Sequence, residues 1–168
     1  MAINFPEGTQ DFPSKVLQVK QGWYNGSQYV TSTGSGASQF GLTSQRVYGD
    51  LVSVDLTPLS SSSVIIVQGC SGGSNSNVSF HGTGAFGVVV VVNNGTSNNI
   101  DNTDYQYYPI TNPFSSGTYL PNTVAQGRWV NSGTSTINFK LKGYSYSEQN
   151  QSNKVQFRKA HLWLMEVV

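Results

Sequence analysis

The side chains able to do chemistry are few in this chain, and their spacing suits none of the common reactions. There are two histidines, His81 and His161, and one cysteine, Cys70. Neither histidine has a second His or a Cys at ligand spacing, so no zinc site is expected. His161 lies in an apolar run and reads as a hydrogen-bonded packing residue. Cys70 reads as a buried, inert thiol, and as a lone cysteine it has no intramolecular partner for a disulfide. No GxSxG elbow accompanies it, and the eight acids are scattered. Asn99, Asp101 and Asp104 share one polar loop with oxygen ligands enough for calcium, but the pattern fits a solvated loop better. Gly82-Thr83-Gly84-Ala85-Phe86-Gly87 matches GxGxxG literally. That fingerprint works where a helix follows and its N-terminus holds a pyrophosphate; here valines follow, so a glycine-rich bulge is expected. No catalysis, cofactor or metal is expected.

Two further patterns could bear ligands. Four sequons begin at Asn25, Asn77, Asn94 and Asn150. A chain rich in Asn, Ser and Thr produces these by chance, and no secretory signal accompanies them. Tyr105, Tyr107 and Tyr108 could stack on sugars, although a half-buried strand explains them as well.

The elements that must position these residues are strands. With 168 residues, 10 % charged and a net charge of +1, the chain fits one domain whose apolar residues are β-type and clustered. Near-neutrality argues against nucleic acid as the main partner and gives little protection against association. No run reaches membrane-spanning length, so no membrane partner is expected. The N-terminus lacks the basic start and apolar core of a signal peptide, which points to synthesis in a reducing cytoplasm.

Residues 1–14 read as an extended arm, with two prolines and the anchors Ile3, Phe5 and Phe12. Residues 15–168 read as a single β-sandwich. Lys15 to Lys20 gives a short strand, and Asn25-Gly26 has tight-turn chemistry. Arg46 to Leu56 alternates, with Val52, Val54 and Leu56 on one face and Ser53 and Asp55 on the other. Val64 to Val67 is continuously apolar, as for a strand covered on both sides. Val78 to Phe80 and Ala85 to Val92 read as separate strands. Pro109, Pro113 and Pro121 leave mostly loop, with edge fragments near Tyr119. At the C-terminus, Ile137 to Leu141 and Val155 to Val168 read as a hairpin around a polar loop. The second run stays apolar to the last residue, so it is expected to be docked inside the fold and to need cover.

Ser53-Val54-Asp55-Leu56-Thr57-Pro58, the serine run, Val64-Ile65-Ile66-Val67 and the ending Leu164-Met165-Glu166-Val167 together resemble structural proteins of marine and freshwater tailed phages, cyanophages especially. Such proteins are similar to the C1q/tumour-necrosis-factor-like jelly roll. The resemblance implies an all-β, homotrimeric jelly-roll sandwich that is a virion component and no enzyme, with the last strand near the three-fold axis. His161, Trp163, Met165 and Val167 are then the expected trimer-interface residues, and a symmetric partner would cover that apolar strand. A capsid decoration (cement) protein is the leading expectation. It would bind the major capsid protein on the capsid exterior through Ile3, Phe5, Pro6, Phe12 and Pro13, after synthesis in the host cytoplasm. The alternatives are a receptor-binding knob or short fibre, with Tyr105 to Tyr108 or the loop Ser145 to Asn153 at its tip, and a lectin-like module.

Overall fold

Ten strands pack as two antiparallel sheets in a computed structural model that describes residues 15–33, 47–71, 78–92, 110–119, 123–147 and 152–168. The arm anchors Ile3, Phe5, Pro6, Phe12 and Pro13 lie outside the described residues, as do the tyrosine group and the Asn99–Asp104 loop. In chain order the strands are β1 (Val16–Tyr24), β2 (Gln28–Thr33), β3 (Val47–Leu56), β4 (Val64–Ser71), β5 (Val78–Val92), β6 (Ile110–Tyr119), β7 (Thr123–Val130), β8 (Ile137–Ser147), β9 (Ser152–Phe157) and β10 (Ala160–Val167). Sheet A runs β1-β10-β4-β7; sheet B runs β2-β9-β5-β8-β3, with β6 alongside β5. Among the described residues there is no helix, and so none long and apolar enough to cross a membrane.

The alternation expected for β3 holds, with Val52, Val54 and Leu56 buried and Ser53 and Asp55 exposed. A register shift against β8 between Asp50 and Val52 turns both Leu51 and Val52 inward, which strict alternation would forbid. The core lies between the sheets. Sheet B supplies Phe139, Leu141, Val90 and Phe157, and sheet A supplies Ile65, Val67, Leu162 and Leu164.

Two glycines in sheet A allow this contact. A Cβ on Gly69 would stand 2.5 Å from Leu141 Cδ1, and one on Gly22 would stand 2.6 Å from Val54 Cγ2. Both positions therefore admit only a hydrogen, letting large side chains of sheet B rest on the backbone of sheet A.

Several sequence expectations are revised. Val155 to Val168 is not one strand, and its partner is not Ile137 to Leu141. β9 belongs to sheet B beside β2 and β5, whereas β10 crosses to sheet A between β1 and β4. The exposed pair Arg158-Lys159 makes that crossing. Similarly, Asn25-Gly26 joins strands of different sheets instead of closing a hairpin. Val78 to Val92 is a single 15-residue strand. The GxGxxG segment sits within it, and the β5–β6 register slips between Phe80 and Gly82 and again between Gly82 and Gly84, as a bulged glycine segment requires.

Candidate functional site

β10 is the central feature of sheet A, hydrogen-bonded on both sides. Its alternation sends Ala160, Leu162 and Leu164 into the core and His161, Trp163 and Met165 outward, where they are half-buried. Val167 follows on the outward side by the same alternation. It is only 2 % exposed, so it has little surface left to offer a partner.

Pairing extends this outward row across all four strands. Trp23, His161, Cys70 and Val124 stand abreast, followed by Gln21, Trp163, Gln68 and Gln126, and then by Val19, Met165, Ile66 and Arg128. Beyond them come Val16, Val167, Val64 and Val130. Trp23 is 64 % exposed, Val130 66 %, Val16 53 % and Val19 50 %. Arg128 is the one charged side chain in these four rows. Ile66, Gln68, Gln126, Arg128 and Trp163 also line a shallow depression there. Cover of Val64 to Val67 on both sides, expected from sequence, is thus half met: Ile65 and Val67 are buried, Val64 and Ile66 only partly.

His161 is not hydrogen-bonded as its packing role suggested. Its Nε2 is buried with no partner, and its ring lies flat on Trp23, with centroids 3.7 Å apart and planes 5° apart. Burial lowers its pKa below the ordinary value. The neighbouring Cys70 is half-buried, and burial pushes its thiol pKa up despite a hydrogen bond from the His161 backbone, so it stays a neutral thiol. Among the described residues no group of three or more His, Cys, Asp or Glu side chains could hold a metal.

At the lower end of β10, Glu166 turns inward and is fully buried. Its carboxylate accepts from the Leu59 amide at 2.9 Å, the Ser60 amide at 3.1 Å, the Ser63 hydroxyl at 2.6 Å and the Gln18 amide at 2.6 Å. Asn131 closes the same cup by donating to the Ser60 carbonyl at 2.6 Å, and its own amide donates to the Ser63 carbonyl at 2.9 Å. Burial works to raise the pKa of Glu166, but the bonds from Ser63, Gln18, Leu59 and Ser60 together outweigh it and hold the carboxyl below its ordinary value. The carboxylate is held by neutral donors, and among the described residues no second acid or base is bonded to it. Its work is structural: it pins the Thr-Pro and serine turn to the last strand.

Sequence reasoning singled out Trp163, Met165 and His161, which the fold does bring onto one face. It missed Val16, Val19, Ile66 and Val130, because they join that face only through pairing between strands distant in sequence. It also missed Glu166 as an anchor, although the Met-Glu-aliphatic ending was visible.

No family model matches the chain, and no curated protein does either. Among solved structures the chain is similar to one of infectious bursal disease virus, Gx strain, at 13 % identity and a TM-score of 0.34. The alignment covers 99 % of this chain and 42 % of that one, so the chain spans less than half the length of the protein it matches. Function must therefore be argued from the chain itself.

Proposed function

We propose that this chain is a non-enzymatic structural protein of a virion, a jelly-roll subunit that trimerises through the outward face of sheet A and decorates the exterior of a capsid shell. The observation that carries the reading is that face, which is exposed, rich in Val, Trp, Ile and Met, and charged only at Arg128. Exposed apolar area on this scale is costly in water and calls for a partner of like chemistry. A second copy supplies it, and a net charge of +1 puts little repulsion in the way. Four strands of eight or nine residues span roughly 500 Å² of flat area at ordinary strand spacing. Side-chain relief brings that toward the roughly 800 Å² per partner of standard interfaces.

The strand orders β1-β10-β4-β7 and β3-β8-β5-β6, in which consecutive strands repeatedly change sheet, support a jelly-roll connection. Two of the motifs that carry the resemblance to phage structural proteins meet in the fold. The serine turn and the Met-Glu-aliphatic ending that carry it are the two halves of the Glu166 cup. In this reading residues 1–14 bind the major capsid protein, and three linked arms multiply a weak contact into a stable one.

The test mixes purified protein with capsid shells and, separately, with host cells. Saturable, stoichiometric shell binding that is lost on deleting residues 1–14 is the expected outcome. Binding to cells alone would replace this reading with the receptor-binding one. Mass in solution tests the trimer directly.

A further inference from the structure

We propose that association through the outward face of sheet A requires a neutral His161 and is released when that ring takes up a proton. The inference rests on the self-association reading above.

Across the sheet the ring is flanked on both sides, since β10 has β1 on one side and β4 on the other, and along the strand it stands in the end row of the face. Its neighbour on β1 is Trp23, with Gln21 in the next row; its neighbour on β4 is Cys70, with Gln68 in the next row. None of these carries charge between pH 5 and 8, and the Cys70 thiol is kept protonated by burial. The nearest charged groups among the described residues are Arg158 and Lys159 in the crossing into β10 and Arg128 on β7, all cations that cannot compensate another. On β1, Lys20 alternates to the other side of the strand. When another copy of the same acid-free face covers His161, an imidazolium there would find no counter-charge among the described residues, and burying such a charge is strongly unfavourable.

The uncovered subunit treats the same proton differently. Trp23 is largely exposed and stacked flat on the ring, so it offers its π face to an imidazolium, and the ring, although its Nε2 is buried, is not sealed from water as a whole. Protonation therefore favours the separated state. Burial already lowers the ring's pKa in the single subunit, and covering lowers it further. The covered state binds fewer protons, so association is complete above the pKa of the uncovered ring and weakens as pH falls through it. Each pH unit of separation between the covered and uncovered pKa values is tenfold per ring. Loss of roughly severalfold per ring is expected between pH 7.5 and pH 5.

The experiment is mass in solution against pH, from 8 to 5, on the full chain, His161→Phe and His161→Gln. Phe keeps a flat ring against Trp23 without a titrating nitrogen. The expected result is acid dissociation of the unmodified chain and pH-independent assembly of the Phe variant. If the Phe variant does not assemble at pH 7.5, the Gln variant takes its place and must show the flat profile. Acid dissociation retained in the variant, or an unmodified chain assembled down to pH 5, overturns the inference. A chain that is monomeric at every pH overturns instead the self-association reading beneath it. Glu166→Gln serves as control: if acid dissociation vanishes there, the responsible proton belongs to the cup and the assignment to His161 falls.

Discussion

The outward faces of the two sheets obey the same alternation and end in opposite states. On sheet B, Asp50 lies between Lys140 at 2.9 Å and Lys142 at 3.3 Å, and Asn138 donates to Asp55 at 2.6 Å and to Ser53 at 2.8 Å. Of the apolar residues on that side, Val89, Val91 and Tyr144 in the middle of the sheet are at most 3 % exposed, while Tyr29 on the edge strand β2 is 50 % exposed. On sheet A the equivalent positions hold Val, Trp, Ile, Met and Gln, and several stay more than half exposed. The middle of sheet B, over β3, β8 and the second half of β5, is thus finished within its own chain, and the outward face of sheet A is not. Where side chains point follows from the backbone; whether a face is complete depends on what chemistry was placed there and what covers it.

The largest expected effect comes from putting a charge on the unfinished face. Met165→Asp should reduce the particle to single subunits by light scattering while costing the half-buried position no more than about 1–2 kcal/mol of subunit stability. Lys142→Gln on sheet B should leave the mass unchanged. If both variants behave alike, the contrast between the faces has no functional meaning.

Next comes Glu166→Ala, which strips several buried donors of their acceptor and should cost about 3 kcal/mol in a denaturant titration. Because the folded-state pKa of Glu166 lies below its ordinary value, its contribution is present above the unfolded pKa and is lost as pH falls through the folded one. The Glu166 contribution should therefore be flat near neutrality and fall only under acid conditions below about pH 4.3, apart from the loss that His161, whose pKa burial lowers, brings as pH falls below the ordinary His value. A fall that begins near pH 6 in the isolated subunit and persists in His161→Phe would contradict this.

Gly69→Ala, between the faces, should cost about 1–3 kcal/mol through overpacking against Leu141; an unchanged denaturation midpoint would mean that the two sheets can move apart at no cost. The smallest effect is expected for Asp50→Asn. Desolvation raises the pKa of Asp50, and Lys140 and Lys142 more than reverse this. The group is half exposed, however, and such pairs contribute at most about 1 kcal/mol before screening.

Much of this architecture was legible because alternation is a local signal. Val52, Val54 and Leu56 identified a face of β3, and the run Ala85 to Val92 identified the second half of β5 as a strand. The division between β9 and β10 was legible too, but in phase. Val155 and Phe157 occupy odd positions, Ala160, Leu162 and Leu164 even ones, and the parity slips at Arg158-Lys159 where the chain changes sheet. A reading that counts apolar residues without following their parity fuses the two strands. The outward face of sheet A could not be read directly. It assembles residues from β1, β4, β7 and β10, and nothing local in Val16 or Val130 specifies the register that brings them together. The Glu166 cup was hidden for the same reason, since a single acid in an apolar ending has no local mark of its distant donors.

One feature of sheet A bears on engineering. The backbones of Lys15 and Val168 are hydrogen-bonded to each other, Val168 N to Lys15 O at 3.1 Å and Lys15 N to Val168 O at 3.3 Å. The two ends of the sandwich therefore meet, and the path through the ten strands is nearly a closed ring. A short linker from Val168 to Lys15, with new ends opened at the exposed Ser132–Thr134 bend, should yield a circular permutant with the same two sheets. In that permutant the outward face of sheet A would be intact, but residues 1–14 would no longer have their native point of attachment.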